Sequence, residues 1–132
     1  MKIVMISDHE SQGGAAQSAC RLAEALCRDN AVDRLVLFSD GRAQPWRTHV
    51  LGTETRLGRM LRRVPRKLWP HRFPYPHTEA FVAAQLRRLL QRLRPDVINL
   101  HNLHGGVDWG WGPHIAAVCA EFAPVVWTRN GG

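Results

Sequence analysis

The chain has 132 residues, of which 45% are hydrophobic and 22% charged, values that are typical of one folded globular domain and exclude a disordered chain. Its formal net charge of +7 makes an acidic partner a candidate, whether a phosphate, a nucleic acid or an anionic membrane. No apolar run approaches the ~18 residues that a transmembrane helix needs.

The three cysteines, Cys20, Cys27 and Cys119, form an odd set without a CxxC pair. A disulfide framework is therefore not expected, and the pattern favours buried, reduced thiols in a cytosolic protein.

The first forty residues predict a strand, a glycine turn, a helix and a second strand. The apolar run Ile3–Ile6 is typical of a central parallel strand that is buried on both faces. Small and apolar residues then recur at three- and four-residue spacings from Ala15 to Leu26, which predicts a helix, and a strand is predicted from Arg34 to Phe38. This β-α-β order indicates a parallel sheet.

The predicted turn contains Gly13 and Gly14, directly before the helix. Free backbone N–H groups and the positive end of a helix dipole make such a turn a candidate anion site. The two glycines complete neither a GxGxxG nor a GxxxxGK[ST] motif. A turn that needs positive φ and close helix–strand packing explains them equally well, so both interpretations stay open.

The positive charge excess lies entirely in residues 53–94, which carry eleven basic and two acidic side chains. Residues 55–64 are predicted to form a short basic amphipathic helix, and residues 78–94 a longer helix with one leucine stripe. Between them, four prolines interrupt the chain. A solvated basic face, a nucleic-acid surface and contact with anionic lipid headgroups are all compatible with this segment.

The last forty residues predict two more strands and the loop that carries the candidate site. The strand Val97–Leu100 runs into this loop, and a helix over residues 113–122 leads to the strand Val125–Thr128. Because ligands bind beyond the carboxyl ends of parallel strands, the loop is a candidate site. Its histidines, His101 and His104, lie three residues apart on a loop and form a weak ligand set, so no metal is expected.

Taken in order, the N-terminal strand, the Gly13-Gly14 turn and helix, the segment Pro95–Gly106 and the strand Val125–Thr128 resemble the N-terminal domain of family 4 glycosyltransferases, more narrowly the bacterial members that build cell-surface polysaccharide. The resemblance covers residues 1–132 and implies an α/β fold, with a Rossmann-like parallel sheet and flanking helices, that forms the N-terminal half of a GT-B fold. It further implies retaining transfer of a sugar from a nucleotide-sugar, the co-substrate, to a saccharide or lipid-linked acceptor, with no metal or other cofactor.

The resemblance also assigns residues. Gly13 and Gly14 would approach the donor phosphates, and the acceptor side would be lined by His101, Asn102, His104 and Gly105. Contact with an anionic membrane that carries the acceptor is expected from Arg59, Arg62, Arg63, Arg66 and Lys67. The expected location is the cytoplasm, peripheral at the inner face of the membrane.

Two departures from the family pattern affect the expected activity. Asn130 stands where the family usually has a histidine, so the catalytic residue is unassigned, and no donor-binding C-terminal domain follows within the 132 residues. A truncated or frameshifted reading frame is the hypothesis for both. The chain is then expected to be inactive alone and to associate with itself or a missing half. The alternative function is a basic α/β module that binds anionic lipid or nucleic acid, with nucleic acid less favoured.

Overall fold

The computed structural model describes residues 1–51, 60, 63–68, 70, 79–101, 103 and 114–128. Within these ranges the chain forms strands and helices in the order β1 (Lys2–His9), α1 (Gly14–Leu26), β2 (Ala31–Phe38), β3 (Arg47–Val50), α2 (Glu79–Leu93), β4 (Val97–His101), α3 (His114–Ala120) and β5 (Val125–Thr128). A short 3₁₀ helix also spans Arg66–Leu68. No helix in these ranges is long and apolar enough to cross a lipid bilayer.

The strands form one parallel sheet in the order β3-β2-β1-β4-β5, which confirms the predicted α/β class. The chain builds outward from β1 to β3 and then returns to the other side of β1 with β4. The point at which the strand order reverses therefore lies between β1 and β4. In open α/β sheets the carboxyl ends of such strands flank a crevice that binds ligands.

Helices cover both faces of the sheet because side chains on each strand alternate between the two faces. On one face, α2 and α3 pack on a core that includes Val4, Ile6, Leu90, Leu100 and Ile115. On the other face, α1 lies over a smaller core that includes Ile3, Met5, Ala19, Ala23, Val32 and Trp46. The buried positions of α1 are all alanines, which lets its backbone approach the strands closely.

Several predicted boundaries differ from the structure: β1 extends to His9 instead of ending at Ile6, β4 includes His101, and α3 ends at Ala120 instead of residue 122. β2 begins at Ala31 rather than Arg34, and the charged residues Asp33 and Arg34 are buried within the strand. The Oδ1 atom of Asp33 lies 3.2 Å from Arg47 Nε and 2.8 Å from His49 Nε2, and these contacts hold the edge strand β3 against β2. β3 spans Arg47–Val50 at the edge of the sheet.

The prediction of α2 is confirmed, with helical residues from Glu79 to Leu93 and a buried leucine stripe. The predicted basic helix over residues 55–64 falls almost entirely outside the described residues. All three thiols are free, as expected, although only Cys119 is fully buried while Cys20 and Cys27 are half-buried. Burial raises the pKa of Cys119 to about 12.

The strand β5 pairs with β4 and has no second neighbour among the described strands. Its Trp127 side chain is 42% exposed and Val126 is also exposed. β5 therefore leaves apolar side chains uncovered by the described residues at one edge of the sheet.

Candidate functional site

The candidate site lies at the carboxyl edge of the sheet, on the face that α1 covers. Ser7 and His9 continue the row of β1 side chains that packs under α1, and His101 continues the corresponding row of β4. Because Ile6 pairs in register with Leu100, the next residues along the two strands, Ser7 and His101, lie side by side. The Gly13-Gly14 turn follows β1 at the same edge.

Of the two glycines in this turn, Gly13 has a backbone conformation that requires glycine. Gly13 has φ 89° and ψ 161°, a backbone conformation that is essentially restricted to glycine, so the predicted positive φ is confirmed there. A Cβ atom built on Gly13 or Gly14 would meet no described atom within 4 Å. The described residues therefore leave open space in front of both glycines, and close helix–strand packing does not explain either of them.

The Arg34 side chain joins the end of β1 to α1 through hydrogen bonds. It is fully buried, with 0% exposure. Nη1 donates to the Glu10 carbonyl oxygen at 2.8 Å and to Cys20 Sγ at 3.0 Å. Nη2 donates to Ser7 Oγ at 2.7 Å and to the His9 carbonyl oxygen at 3.5 Å. The guanidinium also lies 5.6 Å from the centre of the Trp46 ring, within the range of a cation–π contact.

Glu10 is a second buried charge at this edge. Its Oε2 accepts hydrogen bonds from Ser39 Oγ at 2.6 Å and from the Asp40 N–H at 3.1 Å, and its Oε1 accepts one from Thr48 Oγ1 at 2.6 Å. Burial by itself would raise the pKa of Glu10, but these hydrogen bonds and the charge of Arg34 outweigh it and hold the pKa below 4.5. Glu10 is therefore ionised at neutral pH and fastens β1 to the segments that follow β2 and begin β3.

His101 has an environment that suits contact with a neutral polar ligand. It is only 3% exposed, and neither ring nitrogen has a hydrogen-bond partner among the described residues. Burial, together with the charge of Arg34, holds the pKa of His101 below its usual 6.5. The neutral imidazole that results can donate a hydrogen bond from one nitrogen and accept one at the other, as a hydroxyl group requires.

Two further contacts shape the same edge. Asn99 Nδ2 donates to the Val126 carbonyl oxygen at 3.3 Å and to Thr128 Oγ1 at 3.1 Å, which fixes β5 beside β4. At the ends of β1 and β2, the rings of His9 and Phe38 stack with their centres 4.8 Å apart. Phe38 is 40% exposed, so one member of this aromatic pair faces solvent.

The structure brings three of the sequence-predicted site residues, Gly13, Gly14 and His101, to one edge of the sheet. Predicted positions that fall outside the described residues are Asn102, His104, Gly105, Asn130, Arg59 and Arg62, and the side chain of Arg66 is also outside them. Of the predicted membrane contacts, Arg63 and Lys67 are exposed. Within the described ranges, no three His, Cys, Asp or Glu side chains are grouped to hold a metal ion.

Sequence reasoning missed both buried charges. No clear signal in the sequence marks Arg34, because a charged residue beside an apolar strand run is usually exposed. Glu10 gave no signal either, because its partners are 29 to 38 residues away along the chain.

Comparison with known proteins identifies the family of the chain. The sequence profile of Glycosyltransferase Family 4 matches residues 12–132, a range that includes the glycine turn, every helix and strand from α1 to β5, and His101. No curated protein is detectably similar to the chain. Since the family match spans nearly the whole sequence, the chain belongs to Glycosyltransferase Family 4.

Proposed function

We propose that the chain forms the acceptor side of a glycosyltransferase that moves a sugar from a nucleotide-sugar, its co-substrate, to a saccharide or lipid-linked acceptor in cell-surface polysaccharide synthesis. The observation that carries the proposal is the presence of an open glycine turn and an unpartnered, buried histidine at one switch-point edge. Transfer would retain the anomeric configuration and use no metal. Transfer needs groups fixed on both sides of the reacting bond, and the described residues would contribute to the acceptor side.

The glycine turn would face the donor diphosphate. The first N–H groups of a helix have no acceptor within the helix, and the helix dipole makes that end positive. At α1 these groups adjoin the open space in front of Gly13 and Gly14. A phosphate oxygen can therefore approach the backbone there without meeting a side chain.

His101 would orient the acceptor. A neutral ring that is buried and unpartnered can take a sugar hydroxyl as its missing hydrogen-bond partner. Its lowered pKa makes it a weak base, so its contribution would be orientation of the hydroxyl rather than storage of a positive charge.

A comparison of Gly14→Ala with Gly13→Ala tests the role of the turn. Gly14→Ala should leave the free energy of unfolding unchanged or raise it by up to about 1 kcal/mol, because alanine favours a helix and its Cβ enters open space. Gly13→Ala should lower it by about 1–3 kcal/mol through backbone strain. Inorganic pyrophosphate, followed by NMR at the Gly13 and Gly14 amides, should bind the wild type and bind Gly14→Ala less tightly.

Two results would contradict this part of the proposal. One is a pyrophosphate titration that leaves both wild-type glycine amides unmoved. The other is unchanged affinity in Gly14→Ala, since a ligand that tolerates the added methyl group does not approach the backbone at that residue.

The proposed membrane contact rests on the basic residues predicted for it, of which Arg63 and Lys67 have described side chains and are exposed. In flotation assays with vesicles that contain phosphatidylglycerol, the chain should bind, and binding should weaken as salt is added. Reversing both charges, Arg63→Glu with Lys67→Glu, should weaken partitioning at least about tenfold, because each basic residue near an anionic surface contributes about 1 kcal/mol. The exposed Arg28, outside the basic segment, provides a matched control as Arg28→Glu. Equal binding to neutral phosphatidylcholine vesicles would contradict an electrostatic contact.

A further inference from the structure

Arg34 is a buried cation whose hydrogen bonds all go to neutral acceptors. No carboxylate lies within ion-pairing distance of it among the described residues, and its four partners are two carbonyl oxygens, a hydroxyl and a thiol. Burying a charge without a paired acid is costly, so this arrangement calls for a reason other than stability.

The positions of the four acceptors supply that reason. Three of them belong to Ser7, His9 and Glu10, which form the end of β1 and the start of the turn. The fourth is Cys20 Sγ, in the helix that the turn opens, and that thiol itself donates to the Glu10 carbonyl oxygen at 2.9 Å. The guanidinium of Arg34 therefore forms hydrogen bonds with the chain on both sides of the Gly13-Gly14 turn.

A second charged side chain secures the same segment from the other direction. The Glu10 carboxylate is held by Ser39, Thr48 and the Asp40 N–H, and Ser11 Oγ donates to the Asp40 carboxylate. Glu10, which lies between β1 and the turn, thus has both its carbonyl oxygen and its carboxylate held by hydrogen bonds. Arg34 also acts on β4, on the other side of β1: after burial, its charge is the second cause that lowers the pKa of His101.

We propose that Arg34 is a positioning residue for the glycine turn: by holding Glu10 and Cys20 together, it keeps the Gly13 and Gly14 amides in the arrangement that a phosphate group requires before any ligand arrives. Such preorganisation saves the entropy that a loose turn would lose on binding. The proposal rests on the proposed function for the turn's ligand, but the order of the turn can be measured without one.

The test compares wild type with Arg34→Met, which removes the donors and the charge, and Arg34→Lys, which keeps the charge but not the fork. In the 132-residue chain, ¹⁵N relaxation of Gly13 and Gly14 should give order parameters near about 0.85 in the wild type and below about 0.6 in Arg34→Met. Arg34→Lys should also fall below the wild type, because one ammonium group cannot reach all four acceptors. If only about one-tenth of the Arg34→Met molecules hold the competent turn, the dissociation constant for inorganic pyrophosphate rises about tenfold.

A matched variant separates positioning from a general loss of stability. Val118→Ala removes a buried side chain of α3 on the opposite face of the sheet, so it should lower stability yet leave both glycine order parameters at the wild-type value. If Arg34→Met does not fold, Ser7→Ala removes the 2.7 Å acceptor of Nη2, together with the hydrogen bond that Ser7 Oγ donates to the His9 carbonyl oxygen at 2.9 Å, and should give a smaller decrease at the same two glycines.

The proposal is overturned if the turn in Arg34→Met, or in Ser7→Ala where Arg34→Met does not fold, is as ordered as in the wild type. It is equally overturned if Val118→Ala loosens the turn to the same extent. A wild type that does not bind pyrophosphate, combined with a turn that loosens in the Arg34 variants, would reject the phosphate ligand while supporting the positioning role.

Discussion

A Glu10→Ala substitution is expected to lower the free energy of unfolding by about 3 kcal/mol, within the range for removing one member of a buried charged network. The loss leaves the hydroxyls of Ser39 and Thr48 and the Asp40 N–H without their acceptor, and it removes the negative charge that acts on Arg34. Urea denaturation followed by circular dichroism measures the difference. The exposed Glu24 on α1 provides the matched control, since Glu24→Ala should change stability by no more than about 0.5 kcal/mol.

The same interaction should depend on pH in a defined direction. Because the pKa of Glu10 is lower in the folded than in the unfolded chain, the unfolded chain binds more protons between the two values. The stabilisation is therefore fully present above about pH 4.5 and is lost as the pH falls through the folded-state pKa. The stability difference between wild type and Glu10→Gln should shrink in acid, and a difference that grows as the pH falls below 4.5 would contradict the assigned hydrogen bonds.

Leu90→Ala should have an effect of similar size, about 3 kcal/mol, through the cavity that it leaves in the larger core. Leu90 is fully buried and belongs to the core cluster that holds α2 against the sheet. Since whole domains are stable by only about 5–15 kcal/mol, this is a large share of the total and should lower the urea midpoint clearly. Arg88→Ala on the exposed side of the same helix should have little effect, and equal losses from the two variants would mean that α2 does not pack through its leucine stripe.

The elements that could be predicted from sequence are those whose apolar pattern matches their environment. β1 lies at the centre of the sheet and reads as an uninterrupted apolar run, and α2 has one buried stripe at helical spacing. Neither the start of β2 nor the burial of Asp33 and Arg34 follows from such a pattern, because a charged residue reads as exposed. The partners that make the burial of these charges tolerable come together only in the folded chain. Asp33 contacts Arg47 and His49 on β3, and Arg34 donates hydrogen bonds to the end of β1.

The candidate site also combines features that the sequence predicts with features that it does not. The positions of Gly13 and His101 at the carboxyl edge could be predicted, because strand order and strand ends follow from the β-α-β pattern. The open space before the glycines and the lack of partners for the His101 ring could not, since both depend on what the surrounding elements leave uncovered.

The pairing of β1 with β4 also has a kinetic consequence. The hydrogen bond from the Lys2 N–H to the Asp96 carboxylate joins residues that are 94 apart, whereas β1 pairs with β2 over only 29 residues, from Lys2 to Ala31. Closing the longer loop costs about 1 kcal/mol more in chain entropy, and non-local pairings of this kind slow folding. The N-terminal β-α-β unit can therefore form early, while the switch point between β1 and β4 forms only after the longest closure among the described strands is complete.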